Sequence, residues 1–226
     1  MSVELSPERS PVVQDYAKAI YSLENRSGEP VGNNELAERL GVPPGTASAM
    51  VKRLDELGLA AHTPYHGARL TAEGRRVALR MLRRHRLLEL FLTETLDLPW
   101  DRVHQEAELL EHSLSVELEA AIAERLGNPT HDPHGDPIPS RELELEEPKT
   151  ISLAELDTGA EARFVRVSDA DPAILRYLGE RGLKPGRRLR LVEHEPFGGG
   201  FVVRLGRGTE SLPPEIARSM RVEALT

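Results

Sequence analysis

The sequence contains no cysteine, a single tryptophan and few aromatic residues, which make up 4% of the chain. Without thiols it cannot form disulfides, iron–sulfur clusters or thiolate metal sites, and this composition fits a reducing compartment. No apolar run approaches the ~20 residues that a membrane-spanning helix needs, and no signal-peptide pattern is present. We therefore expect a cytoplasmic protein that has no membrane partner.

The charges are unevenly distributed along a chain of net charge −8. Residues 39–86 hold ten Lys and Arg against three Asp and Glu, whereas residues 87–160 hold four against eighteen. A basic block followed by an acidic block indicates an anionic partner for the first and a cationic partner for the second. A solvated surface is the ordinary alternative explanation of any such run of charges.

Hydrophobic periodicity predicts a mainly α-helical protein with small β parts. Residues 59–71 are expected to form two short strands with a tight turn at His66 and Gly67, and residues 127–149, rich in Pro, Gly and acids, a linker. Alternating segments such as RFVRV and GFVVRLG predict a small barrel after residue 150. The predicted helices cover residues 8–25, 34–40, 46–57, 72–96, 101–126 and 171–181.

The segment ELAERLGVPPGTASAMVKRLDELGL has the layout of a helix-turn-helix. Its second helix begins with small residues, which allow a helix to approach the base edges in the major groove. The core face of this helix is predicted at Ala47, Met50, Val51 and Leu54. Two short helices that simply pack together are the alternative, but the following hairpin and the local basic excess favour DNA binding. We expect bases to be contacted by Thr46, Ser48 and Ala49, phosphates by Lys52 and Arg53, and the wing to be formed by the hairpin that carries Arg69.

The stretch HQEAELLEH at residues 104–112 is the most informative one for chemistry. On a helix, Glu108, Glu111 and His112 point to one side, and His85 and Glu89 have the same i, i+4 relation in the preceding helix. Closely spaced carboxylates repel one another, and a divalent cation removes that repulsion. Carboxylate and imidazole donors without thiolate suit Mn²⁺ or Fe²⁺. The spacing alone leaves a solvated acidic face equally open.

The sequence carries no HExxH helix, nucleophile elbow or P-loop, so we expect no enzymatic activity. A metal-dependent hydrolase would need a separate base or nucleophile, and none is evident. Another alternative is a winged-helix regulator that senses an organic effector. In that case the acidic helix would only be solvated, and DNA binding would not depend on metal.

Taken together, these motifs resemble the diphtheria toxin repressor family of metal-dependent transcriptional regulators. DYAKAIYSLE is similar to the family's first helix, and LTAEGRRVALRMLRRHRLLELFL to its wing exit and first dimerisation helix. VHQEAELLEHSLSVELEAAI is similar to its metal-binding helix, and PHGDPIP to a linker motif. The tail resembles the SH3-like module of the longer members, so the resemblance covers nearly the whole chain in the right order.

The resemblance implies a homodimeric repressor that binds a palindromic double-stranded operator with a divalent cation as co-repressor. It implies a winged helix-turn-helix domain at residues 1–76 and a helical dimerisation and metal-binding domain with linker at 77–149. The remaining residues, 150–226, are expected to form an SH3-like β-barrel domain of the FeoA type.

Residue by residue, the resemblance implies two metal sites. Iron-type members carry methionine and cysteine where this chain has Asp15 and Glu108, so these hard carboxylates favour Mn²⁺, with Fe²⁺ as the alternative. Lys18 replaces a glutamate of the short manganese-type members, so a binuclear site of their kind is not expected. The main site is implied at Asp15, Glu108, Glu111 and His112, and the second at His85, Glu89 and His104, with Asp171 added from the C-terminal module.

A few polar residues remain outside these sites. His131 and His134 lie in the linker beside acids, and we expect them to be structural or solvated rather than ligands. Asp169 and His194 are the other notable polar candidates of the C-terminal module.

Overall fold

The computed structural model describes residues 10–225 and forms two compact units. The first comprises residues 10–84 together with Pro139–Leu145, and the second comprises His85–Ile138 and residues 146–225. These units divide the chain within a long helix and within the linker. The predicted division into three domains stays a prediction.

The first unit contains the predicted winged helix-turn-helix. Pro11 occupies the first turn of α1, and Gly28, in the left-handed conformation, ends that helix. Gly41 ends α2 in the same way, and α3 begins at Pro44. The hairpin turn lies at residues 64–66, slightly before the predicted position. The elements are α1 (Pro11–Ser27), α2 (Asn33–Leu40), α3 (Pro44–Glu56), β1 (Ala60–Thr63), β2 (Gly67–Leu70) and the first part of α4 (Ala72–Leu96).

Helix α3 packs into the hydrophobic core of this unit through the residues that its periodicity predicted to be buried. Ala47, Val51 and Leu54 are fully buried, and Met50 packs against the same cluster from a partly buried position. Because these side chains occupy one face of α3, the opposite face is left available to a partner. The helix-turn-helix is thus built as the sequence predicted.

Helix α4 approaches the start of the hairpin closely at Gly74. A Cβ atom at this position would overlap the carbonyl oxygen of Leu59 and come within 3.1 Å of Leu70 Cδ2. Only glycine allows this approach, because the obstacle is backbone that cannot move aside. Arginines interrupt the apolar positions of α4, and no helix within residues 10–225 is long and apolar enough to cross a membrane.

The helical part of the second unit differs from the prediction in one respect. We expected one helix over residues 101–126, but α5 (Val103–Leu110) passes into a 3-10 turn at Glu111–Ser113 and α6 (Val116–Arg125) starts anew. Leu114 is extended, and the Ser115 side chain accepts a hydrogen bond from the Leu118 N–H as the N-cap of α6. The single-helix prediction was wrong because this cap starts a new helix.

The C-terminal part of the second unit is the predicted SH3-like module, a six-stranded antiparallel sheet in the order β3-β8-β4-β5-β6-β7. Its core includes Phe164, Leu191 and Val222, and Trp100 from the connection between α4 and α5 joins them. The elements are β3 (Ile151–Ser152), β4 (Glu161–Val167), α7 (Pro172–Glu180), β5 (Arg188–His194), β6 (Phe201–Leu205), β7 (Gly208–Leu212), α8 (Pro214–Ser219) and β8 (Met220–Leu225).

The linker forms an ordered loop where it meets β4. Asp132 Oδ1 accepts hydrogen bonds from the backbone N–H groups of His134 and Asp136, and the Val167 N–H donates to the His134 carbonyl at 3.0 Å. Gly135 has φ +87°, and a Cβ there would overlap the Val165 carbonyl oxygen. This glycine is therefore required by both conformation and space.

We predict that Gly74→Ala lowers the free energy of unfolding by about 1–3 kcal/mol, the usual cost of forcing an atom into a packed site. Urea unfolding followed by circular dichroism measures the change. Gly45→Ala is the matched control, since Gly45 is helical and nothing lies within 4 Å of an added Cβ. Equal stability of Gly74→Ala and the control would contradict the close approach.

Candidate metal centre and DNA interface

A buried carboxylate, Glu89 of α4, lies at the centre of a cluster of imidazoles. Its side chain is only 1% exposed, and its Oε1 lies 3.0 Å from His85 Nε2 and 3.3 Å from His104 Nδ1. His85 Nε2 and His104 Nδ1 are themselves 3.0 Å apart. The i, i+4 spacing on α4 and the start of α5 thus bring together the three residues that the resemblance placed in the second metal site.

Asp169 of the C-terminal module adds a carboxylate to this cluster. Its Oδ2 lies 2.7 Å from His104 Nδ1. Four residues of this cluster each offer one donor atom, and these atoms lie within 4.8 Å of one another, a spacing that could hold a metal ion. The four residues are His85, Glu89, His104 and Asp169. Asp171, which we expected here, is instead the N-cap of α7, and its Oδ1 accepts a hydrogen bond from the Ala173 N–H.

The electrostatics of this cluster favour charged side chains in spite of burial. The hydrogen bond to Asp169, followed by that to Glu89, raises the pKa of His104 to about 10. Burial alone would raise the pKa of Glu89, but the histidines around it, His85 first, lower it well below its usual value. A cation that binds here must therefore displace a proton from His104 at neutral pH.

A second group of donors adjoins the first through His85. Glu111 is fully buried, and its Oε2 lies 2.7 Å from His85 Nδ1. Glu108 is exposed, and donor atoms of His85, Glu108 and Glu111 lie within 4.8 Å of one another. His112 Nε2 lies 3.8 Å from Glu111 Oε1. The three residues that the acidic helix was expected to supply therefore lie close together around Glu111.

Asp15, the remaining residue implied for the main site, lies on α1 in the first unit and is half-buried. Its role as a ligand stays a prediction that depends on the family resemblance.

The linker supplies a histidine that the sequence did not place near this cluster. His134 is fully buried, its Nε2 lies 2.7 Å from the Trp100 carbonyl oxygen, and its ring stacks on the Trp100 indole. Its Nδ1 lies 3.7 Å from Glu89 Oε2. Burial opposes the charged form, but the carboxylates of Glu89 and Asp132 outweigh it and raise the pKa of His134 to about 9. His131, by contrast, is exposed.

The donor set fits a divalent cation. It consists of imidazole nitrogens and carboxylate oxygens without sulfur, which is the chemistry of Mn²⁺ and Fe²⁺ sites rather than of soft-metal sites. Among the described residues, Glu89 Oε2 and His134 Nδ1 are buried atoms that have no hydrogen-bond partner. A metal ion is one way to satisfy such atoms.

The expected DNA interface is the outer face of α3. The residues expected to contact bases and phosphates are exposed on this face, apart from the half-buried Ser48. One of them, Arg53, forms an ion pair within α3, with its Nη1 3.0 Å from Glu56 Oε2. Arg69 instead reaches back to α1, where it lies 3.4 Å from Glu24 Oε1 and donates to the Gly28 carbonyl at 2.8 Å. The exposed members are Thr46, Ala49, Lys52 and Arg53.

Three family models match consecutive parts of the chain. They describe the iron-dependent repressor N-terminal DNA-binding domain at residues 9–68, the iron-dependent repressor metal-binding and dimerisation domain at 71–140, and the FeoA domain at 151–224. The order of the three matches agrees with the order of the motifs along the sequence.

Curated relatives and solved structures agree with these models. The chain is 32% identical to the iron-dependent repressor IdeR of Mycobacterium leprae, over 92% of this chain and 95% of that protein. It is 29% identical to the diphtheria toxin repressor of Corynebacterium jeikeium, with the same two coverages. A manganese-dependent transcriptional repressor in complex with manganese is 41% identical with a TM-score of 0.87, covering 94% of this chain and all of that one. The chain therefore belongs to the iron-dependent repressor family, the DNA-binding, metal-dependent transcriptional repressors of which the diphtheria toxin repressor is a member.

Proposed function

We propose that this protein is a manganese-responsive repressor, in which Mn²⁺ binding raises the affinity for operator DNA. The observation that carries the proposal is the donor set, in which carboxylates and imidazoles, all buried or half-buried except Glu108, converge without any sulfur atom. Mn²⁺ binds weakly to most sites, so a protein selects it by oxygen donors and geometry rather than by strength of binding.

Two sites are assigned. The first uses Glu108, Glu111 and His112, with Asp15 added on the strength of the family resemblance. The second uses His85, Glu89 and His104, and we assign Asp169 as its C-terminal ligand in place of Asp171. The 2.7 Å contact between Asp169 and His104 supports this choice, as does the engagement of Asp171 at the start of α7.

The choice between manganese and iron depends on two positions. Asp15 and Glu108 are hard carboxylates where iron-type members carry methionine and cysteine, and hard donors favour Mn²⁺. The similarity to the manganese-dependent repressor with bound manganese also supports Mn²⁺. Fe²⁺ is the second candidate, favoured by the 32% identity to an iron-dependent repressor over most of both chains.

DNA binding is proposed to use two copies of the chain on a palindromic operator. Each copy presents α3 to a major groove, so the half-sites are about 34 Å apart or a multiple of that distance. Thr46, Ser48 and Ala49 contact bases, and Lys52 and Arg53 contact phosphates. Arg69 contacts DNA only if it leaves Glu24. The proposed activity is regulatory rather than enzymatic, and it takes place in the cytoplasm.

Metal acts in this proposal by thermodynamic linkage. Without a cation, the carboxylates around Glu111 repel one another, and DNA binding must supply the free energy that orders them. A bound cation supplies positive charge that removes this repulsion. The free-energy cost of ordering these residues on DNA binding is then smaller, so the affinity for operator DNA rises.

We predict that saturating Mn²⁺ tightens operator binding about 5- to 150-fold over chelator, the usual range of such couplings. Glu108→Ala should abolish most of this gain, because it removes an exposed donor and leaves the buried core intact. Fluorescence anisotropy with promoter fragments of metal-uptake genes measures the effect in chelator, Mn²⁺, anaerobic Fe²⁺ and Zn²⁺.

Glu106→Ala is the matched control, since Glu106 is an exposed glutamate of the same helix outside the donor groups. It should keep the full response to Mn²⁺. Equal operator affinity of the wild type in chelator and in every metal would contradict the metalloregulator proposal, whereas a larger response to Fe²⁺ than to Mn²⁺ would favour the iron candidate.

We also predict that Asp169→Asn lowers the pKa of His104 in the metal-free protein from about 10 towards its usual value, because the largest cause of the increase is removed. The protonated His104 stabilises the fold below the usual pKa of histidine, and this contribution is lost as the pH rises through about 10. NMR titration of the imidazole measures the shift, with Asp171→Asn as the control that should leave it unchanged. An unaltered His104 pKa in Asp169→Asn would contradict the assignment.

A further inference from the structure

The outer face of the C-terminal sheet carries arginines on two neighbouring strands. On β5, Leu189 is buried in the core of the module, whereas the residues on either side of it, Arg188 and Arg190, are exposed. On β6, Val203 is buried and Arg204 is exposed. Because successive side chains of a strand point to opposite faces, the three arginines share the face that is turned away from the core.

These arginines lie opposite other arginines. Arg190 pairs in register with Arg204 of β6, and Arg188 pairs in register with Arg163 of β4. The Cβ atoms of residues that lie directly opposite are only about 4.5–5.5 Å apart, and like charges at this separation destabilise a sheet. The arrangement is therefore unfavourable in the free protein, and an anion placed over it would remove the repulsion.

Acidic neighbours balance only one side of this face. Arg163 Nε lies 3.8 Å from Glu223 Oε2, and Glu161 of β4 pairs in register with Arg190. Arg190 Nε donates a hydrogen bond to the Gly159 carbonyl at 2.9 Å. These two glutamates lie on β8 and β4, away from β6, so they leave the positive charge near β6 uncompensated.

The uncompensated charge is concentrated at one corner of the sheet. Because β5 and β6 are antiparallel, the start of β5 lies at the same end of the sheet as the turn between β6 and β7. This surface, the basic corner, consists of exposed arginines from both segments. Within residues 10–225, four of its five guanidinium groups have neither an ion pair nor a hydrogen bond, Arg190 being the exception. The five residues are Arg187, Arg188, Arg190, Arg204 and Arg207.

The composition of the basic corner favours a phosphate polymer over a protein as its partner. Among the described residues of this module, the exposed large hydrophobic side chains are Ile151 and Phe197. Ile151 lies on β3 at the far edge of the sheet, and Phe197 lies between β5 and β6, at the opposite end of these strands. Protein interfaces centre on apolar and aromatic residues, whereas phosphate backbones are bound mainly by positive charge. The planar guanidinium also matches the geometry of phosphate oxygens.

We propose that the basic corner binds the phosphate backbone of duplex DNA outside the two half-sites that α3 contacts. This inference rests on the proposed function, since it takes operator DNA as the polyanion that the protein meets. Phosphate contacts add affinity without reading sequence. They would therefore extend the length of DNA that the protein covers and leave its sequence preference unchanged.

The test is the salt dependence of DNA binding by the full-length protein in Mn²⁺, measured by fluorescence anisotropy with two duplexes. The short duplex contains the operator palindrome alone, and the long one extends it by about 15 base pairs on each side, roughly one and a half helical turns. The wild type should bind the long duplex more tightly. Its affinity for the long duplex should also fall more steeply with salt, because each phosphate contact adds about 0.9 to the logarithmic slope.

Replacing arginines of the basic corner should remove this difference. The double variant Arg188→Gln and Arg204→Gln should lower the slope on the long duplex by about 2 and leave the slope on the short duplex unchanged. Arg187→Gln with Arg207→Gln, at positions outside the strands, should have the same effect and keeps the test valid if the first variant folds poorly. Arg218→Gln is the matched control, since Arg218 is an exposed arginine of the same module on α8. It should keep the wild-type slope on both duplexes.

Equal slopes of the wild type on the two duplexes would overturn the proposal, as would a wild-type slope of the folded double variants on the long duplex. A double variant that changes the mass of the DNA-free protein in sedimentation equilibrium, with its slopes unchanged, would also overturn it, because the corner would then bind a second copy of the chain. The comparison of slopes does not need a response to metal. It therefore gives a result even if DNA binding proves independent of Mn²⁺, the outcome that contradicts the proposed function.

Discussion

The burial of the Glu89 carboxylate is the constraint on which the second unit depends. A charged carboxylate inside a protein is unfavourable unless partners compensate it. The partners come from three separate segments, with His85 on the same helix, His104 on α5 and His134 in the linker. Through His104 the network also reaches Asp169 of the C-terminal module. One buried charge therefore ties together helices, linker and sheet.

The same groups can serve in two ways, as a balanced set of charges and as the donors of the proposed metal sites. Without a cation, protonated imidazoles balance the carboxylates, as the raised pKa values of His104 and His134 indicate. In the proposed metal sites, a bound cation would replace these protons, with the imidazoles as ligands. Protons and a metal ion would therefore compete for the same groups.

The sequence predicted the fold where local signals were strong. The bounds of α4 agree with the prediction, and Ala47, Val51 and Leu54 form the core face of α3 as expected. The break before α6 was missed because the apolar positions continue at helical spacing across it, although Ser115 is a residue type that favours an N-cap.

From spacing alone, the candidate site could be predicted only where its residues share a helix. His85 and Glu89, and likewise Glu108 and Glu111, are related by helical spacing that can be recognised in a sequence. Asp169 and His134 lie in loops, and which loop residue reaches a cluster is decided by tertiary packing. Asp171 and Asp169 are two residues apart, and only the structure distinguishes the helix cap from the residue beside His104.

Linkage between metal binding and DNA binding is tested most directly by its reciprocity. The affinity of the protein for Mn²⁺ should be measured by isothermal titration calorimetry with and without saturating operator DNA. If the two are linked, operator DNA tightens Mn²⁺ binding by the same factor by which Mn²⁺ tightens operator binding, since both changes report one coupling free energy. An affinity for Mn²⁺ that operator DNA leaves unchanged would contradict the linkage.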